Sequence, residues 1–214
     1  MEMKVKEIDE LRKKLQLSCD LLIKKIGKIQ IGTPELFPYG WRKVAKGRTV
    51  WRIVEEIITQ NLEKHHTDFK VDSVNASDSE VTVYDMKCIF GTQEAYINVK
   101  SAVVGGKRQK DDISKAKGLK EFYDEDENRQ FFVATFFIQF NTDMSIEIAK
   151  AVVFPIAWIP DIYVNPSNNG NLQSAYYKDM KDGVKRTNKE FLPLFQKAIE
   201  VANKKKRKKQ QKKK

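Results

Sequence analysis

Apolar residues recur at helical spacing along the start of the chain. Val5, Ile8, Leu11, Leu15, Leu22, Ile23 and Ile26 alternate with Lys, Glu and Arg, and Gly27 supplies a stop, which predicts a packing helix over 3–27. The period returns from about Thr49 to Lys64, with Val50, Ile53, Val54, Ile57, Ile58 and Leu62 on one stripe and Glu55, Glu56 and Glu63 off it. Two further helices are predicted. One is capped by Asp112 or Ser114 and runs through Tyr123 on Ile113, Ala116, Leu119 and Phe122; the other runs from near Thr187 on Phe191, Leu194, Phe195, Ala198, Ile199 and Ala202. Strand patterns fall between them: Phe69 to Val74 before a turn at Asn75–Asp78, Phe131 to Phe140 as a central buried strand, and Ile146 to Phe154. Thr33 and Pro34 suit a short capped turn, and Pro155 and Pro160 fence Ile156–Ile159 as an edge strand or extended crossover.

The chemistry gathers in one hairpin. Val81, Val83, Ile89 and Phe90 precede Gly91-Thr92, and Ala95, Tyr96, Ile97, Val99 and Ala102 follow it, so two β-rich runs meet at a tight connection. Strand alternation puts Asn98 and Lys100 on one face while Val99 enters the other. If the neighbouring strand brings Asp85 alongside, one patch carries an acid, a carbonyl-bearing group and an ammonium, the minimal kit for metal-assisted phosphodiester hydrolysis.

Composition bounds the partners. The 214 residues suit one substantial core, read as a single domain over 1–203. Net charge is +11, but Arg207 and eight lysines within 204–214 supply nine of those charges, leaving the body at about +2. That tail reads as a disordered segment, either solvated or holding phosphate without sequence preference. Cys19 and Cys88 form no disulfide framework or zinc pattern, and the longest apolar run is too short to cross a bilayer. His65 and His66 end the second helix with no partners for zinc, and Asn75-Ala76-Ser77 means nothing as a glycosylation acceptor without a secretory signal.

Three stretches offer nucleic-acid contacts. Arg42 and Lys43, with Lys46 and Arg48, follow the aromatics Phe37, Tyr39 and Trp41, which suits either a DNA-facing surface or a loop packed by its own rings. After Gly105-Gly106, the cations of Lys107, Arg108 and Lys110 reach for phosphates and Gln109 for a base edge. Asn165, Asn168, Asn169, Asn171, Gln173 and Ser174 give an amide-rich loop, either a recognition loop helped by Lys185 and Arg186 or a turn of good turn formers.

The Asp85-x12-Asn98-x-Lys100 spacing resembles the active-site hairpin of the PD-(D/E)xK nuclease superfamily, in size and spacing its type II restriction endonucleases. Tyr84 stands where the motif has proline, and Asn98 where it has an acid. The resemblance implies an α/β fold with a restriction-endonuclease-like core, a central mixed β-sheet of about five strands flanked by helices. It implies Mg²⁺ held by Asp85, Asn98 and the Val99 carbonyl, with Lys100 orienting water and steadying the transition state, and a helix acid, Glu55 in preference to Glu56. Because asparagine is a neutral ligand, Glu80 or Glu94 could also compensate. The implied activity is cleavage of double-stranded DNA at a short palindromic site, leaving 5′-phosphate and 3′-hydroxyl ends. The implied setting is a homodimer in a prokaryotic cytoplasm beside a cognate DNA methyltransferase, with no membrane. The alternatives are a DNA-binding protein that keeps the fold without cleaving, a repair or junction nuclease, and an interaction protein in which Lys100 is a strand-end lysine.

Overall fold

The computed structural model describes residues 2–42, 46–77, 82–167 and 170–211, without the side chains of 46–49. Lys43, Glu80, Val81, Asn168, Asn169 and the end of the basic tail lie outside the described residues. The chain runs as α1 (Val5–Ile26), β1 (Lys28–Gln30), α2 (Lys46–Lys64), β2 (Ser73–Ala76), β3 (Met86–Phe90), β4 (Gln93–Val103) and β5 (Asp111–Lys115). It continues as α3 (Ala116–Glu125), β6 (Gln130–Phe140), β7 (Ser145–Pro155), β8 (Tyr163–Val164), β9 (Asn171–Ser174) and α4 (Asn188–Gln211).

A mixed six-stranded sheet, in the order β1-β7-β6-β4-β3-β2, forms the centre. Among the described residues only β4 and β6 run parallel, with Val99 opposite Ala134 and Lys100 opposite Thr135. These two strands are central, so β6 is buried on both faces and reads as a nearly continuous apolar run. A smaller sheet, β5-β9-β8, lies beside it.

On one face α1 buries Ile8, Leu11, Leu15, Cys19 and Leu22, a stripe dictated by the helical repeat. At the edge of β7 beyond β1, the Gln16 carboxamide donates to Ala151 O and accepts from Val153 N. Those are the two bonds a residue of a parallel neighbouring strand would make. α2 buries Val50, Val54, Ile58 and Leu62, whereas Ile53, expected in that stripe, is exposed. The opposite face carries Tyr96 and Phe131, which meet Phe122 of α3 edge to face, and Tyr123 meets Phe191 of α4. Cys19 and Cys88 are both free and buried, and burial pushes the Cys88 thiol up to about 12. Among the described residues no helix is long and apolar enough to cross a membrane.

Several local expectations are corrected. Phe69 closes a 3-10 turn over His66–Phe69, and the strand begins only at Ser73, taking in Asn75 and Ala76. Asp112, Ile113 and Ser114 belong to β5, so α3 starts later than their capping chemistry suggests. Ile156–Trp158 is a buried 3-10 turn, with the Trp158 indole donating to Arg186 O at 2.9 Å. The basic segment from Lys204 to Gln211 lies within α4.

Candidate active site

Gly91 takes φ +62° in the turn between β3 and β4, and the ladder pairs Cys88 with Ala95 and Met86 with Ile97. One further backbone bond, Asp85 N–H to Ile97 O at 2.8 Å, extends it. β3 begins only after Asp85, so Val83 lies outside it, and the Asp85 carboxylate takes over: Oδ2 accepts the Val99 N–H at 2.6 Å. Since the N–H and C=O of a strand residue leave on the same side, the Val99 carbonyl faces the edge that Asp85 occupies. Lys100, the next residue, leaves the plane of the sheet there.

α2 brings the second acid. Burial raises the Glu55 carboxyl to about 7, with the Lys100 ammonium lowering it, Asp85 raising it and Arg52 lowering it. Asp85 keeps an exposed surface, yet desolvation by the protein around it raises its carboxyl above the ordinary value, against the Val99 N–H, Lys100 and Arg52. Each acid therefore feels Lys100, and Glu55 also feels Asp85. Glu56 is exposed and accepts from Gln60 at 2.7 Å.

Asn98 is 8% exposed. Its Nδ2 donates to Val83 O at 3.3 Å and Ile113 O at 3.1 Å, tying the segment before Asp85 and strand β5 to β4. Both partners are carbonyls, which only accept, so the amide orientation is fixed by them. Oδ1 is then buried with no hydrogen-bond partner, the state a cation or water would relieve.

Glu94 is engaged on the other side of the hairpin turn. It accepts from the Tyr96 hydroxyl at 2.8 Å and from Lys87 at 3.2 Å. It also lies four residues before Asn98, about 13 Å along the strand. Among the described residues no group of three His, Cys, Asp or Glu is placed to hold a metal ion. Asp85 and Glu55, which feel each other electrostatically, offer carboxylate oxygens, a hard donor type that suits Mg²⁺ better than zinc.

Glu55 divides two recesses. One, of about 480 Å³, holds Asp85, Glu56, Arg52 and Tyr84. The other, of about 660 Å³, holds Lys100, Lys107, Arg108, Gln109, Lys150 and Trp51. Trp51 and Glu55 share a helical face through their i, i+4 spacing. Lys150 and Trp51 did not stand out in the sequence. Lys150 reaches the recess because β7 is irregular between Ile148 and Lys150, which pairs Lys150 with Phe137 and sets its ammonium 4.7 Å from that ring.

The predicted DNA-contacting residues divide. β5 pairs antiparallel with β9, which sets the end of the glycine loop beside Ser174 and leaves the turn before Asn171 at the opposite end of β5, beside Lys115. Lys107 is exposed in the recess, while Arg108 pairs with Asp182 at 2.7 Å and Gln109 donates to Asp111 at 3.2 Å. Lys110 turns to the Tyr163 ring, 4.4 Å from its centroid. Asn165 accepts from Ser167 in a turn, Asn171 has a buried Oδ1 with no partner, and Gln173 donates to Asp112 at 2.6 Å. Ser174 is buried and donates to Asp161. Arg186 is likewise buried, donating to Ile159 O at 3.1 Å. Arg42 is exposed over Tyr39, in a loop whose Trp41 indole donates to Asn141 O beyond the end of β6; it lines neither recess.

No protein-family model matches the chain, and no curated protein matches it.

Proposed function

We propose that the chain is a Mg²⁺-dependent endonuclease acting on double-stranded DNA, of the type II restriction kind. The carrying observation is the 2.6 Å bond from Val99 N–H to Asp85 Oδ2, which sets an acid beside the residue preceding Lys100. Asp85, Glu55, the Val99 carbonyl and Asn98 Oδ1 would hold the ion, which supplies Lewis-acid polarisation of the scissile phosphate when bound. Lys100 holds its ammonium against the developing charge and orients the attacking water. Lys107 and Lys150, in the same recess as Lys100, offer charge to the phosphates on either side. Glu55, raised to about 7, is poised to release its proton near neutrality. A homodimer would match a palindromic site by its two-fold symmetry.

The test is incubation of purified protein with mixed plasmid or phage DNA and Mg²⁺. Discrete fragments with 5′-phosphate ends support the proposal; no cleavage with Mg²⁺ or Mn²⁺ overturns it. A binding protein without cleavage is the second reading, favoured by the two carbonyls that hold the Asn98 amide. Tight, sequence-selective DNA binding without cleavage would establish it.

A further inference from the structure

The basic end of α4 is helix, and that gives its charges a direction. Residues 203–211 contain no acid and no apolar side chain, so this stretch lacks the apolar face with which a helix enters a lipid surface. Helical spacing places Lys205, Lys208 and Lys209 on one face, continuing the face of Lys197 and Val201. These three lysines are exposed and make no ion pair among the described residues.

That face is joined to the candidate active site through named contacts. Lys205 and Lys197 line a recess of about 350 Å³ together with Tyr163 of β8. Lys110 sets its ammonium 4.4 Å from the centroid of the Tyr163 ring. Three residues earlier in the same loop, Lys107 lines the recess that holds Lys100. Two recesses and the Lys110–Tyr163 contact thus relate the loop after β4 to the last turns of α4. From Lys205 to Lys209 the helix rises about 6 Å, which matches the advance of two phosphates at about 3.4 Å per nucleotide of one strand.

We propose that the Lys205, Lys208 and Lys209 face of α4 grips the phosphate backbone of duplex DNA flanking the segment held at Lys100. The inference rests on the DNA-directed function proposed above. It assigns the basic end a fixed, one-sided contact with DNA outside the cleavage site.

The test measures binding of the full chain to a fluorescent, mixed-sequence duplex of about 30 base pairs in EDTA, across a salt titration, since each neutralised phosphate steepens the slope of log K on log salt by about 0.9. The triple variant Lys205→Gln, Lys208→Gln, Lys209→Gln is expected to flatten the slope by about 2 to 3. A control, Lys204→Gln, Lys206→Gln, Arg207→Gln, removes the same charge from other faces and is expected to flatten it by less than about 1. Equal flattening by both triples would mean undirected attraction and would overturn the proposal. An unchanged slope in the first triple would overturn it while leaving the DNA-directed function standing. Absence of duplex binding by the unaltered chain would bring down both. Loss of binding to anionic phosphatidylserine vesicles in the first triple, with its duplex binding intact, would reassign the face to lipid.

Discussion

Val99 donates its backbone N–H to Oδ2 of Asp85 at 2.6 Å, so the acid just before the start of β3 is held by the residue that precedes Lys100 on β4. The bond stands where a ladder bond would form if β3 began earlier. It fixes the spacing of acid and ammonium without a further element.

Asp85→Ala removes the charge and leaves the Val99 N–H unpaired; Lys100→Ala leaves that bond intact. Both are expected to lower the rate of DNA cleavage by at least about 100-fold. Only Asp85→Ala is expected also to lower stability, by about 1 to 3 kcal/mol. Single-turnover cleavage with Mg²⁺ and urea denaturation measure the two effects. Equal stability losses in both variants would remove the assigned role of the Val99 bond.

Asn98→Asp restores the motif acid but sets a carboxylate oxygen where an amide now donates to Val83 O and Ile113 O, at 3.3 and 3.1 Å. Metal-free protein should lose about 1 to 3 kcal/mol on this change. Thermal melts in EDTA, repeated with Mg²⁺, follow it, and an unchanged midpoint in EDTA would show that the two carbonyls do not require a donor.

Glu55 sets a pH dependence whose sign follows from its burial. Its carboxyl is raised from an ordinary 4.5 to about 7, so the fold favours the protonated form. That contribution is complete below about 4.5 and is lost as pH rises through 7. Asp85, also raised, acts with the same sign from a lower starting point. The stability difference between the native protein and Glu55→Gln, both metal-free, should therefore shift against the native protein between pH 4.5 and 7. Denaturant midpoints across that range test it, and a flat difference would count against it. Because proton and cation compete for the same oxygens, the Mg²⁺ concentration needed for cleavage should fall over the same rise.

Gly118→Ala reaches the site from behind. A Cβ there would lie 2.6 Å from Val83 Cγ1, and the Val83 carbonyl is one of the two that Asn98 holds. The variant should be destabilised by about 1 to 3 kcal/mol and should lose cleavage beyond what its folded fraction explains. Activity per folded molecule is the deciding measurement.

The regular elements were legible from spacing in α1 and β7, from the glycine of the Gly91 turn, and from the unbroken apolar run of β6. Asp112 and Ser114 misled because their side chains suit a helix cap as well as a strand end, and pairing of β5 with β9 decided for the strand. Of the candidate site, Asp85, Asn98 and Lys100 are readable from one hairpin. Ser174 and Arg186 look like surface groups but are enclosed by Asp161 and by the Ile159 carbonyl. The approach of Lys150 depends on an irregularity between two strands, which pattern does not reveal.

Gln16 has a bearing on how copies of this chain can meet. With its carboxamide bound to Ala151 O and Val153 N, that stretch of β7 presents occupied groups where an open strand would recruit another chain. Growth of the sheet into a neighbouring molecule along this stretch would have to displace Gln16 first. Replacing Gln16 with leucine would unblock the margin and turn it into a seed for aggregation.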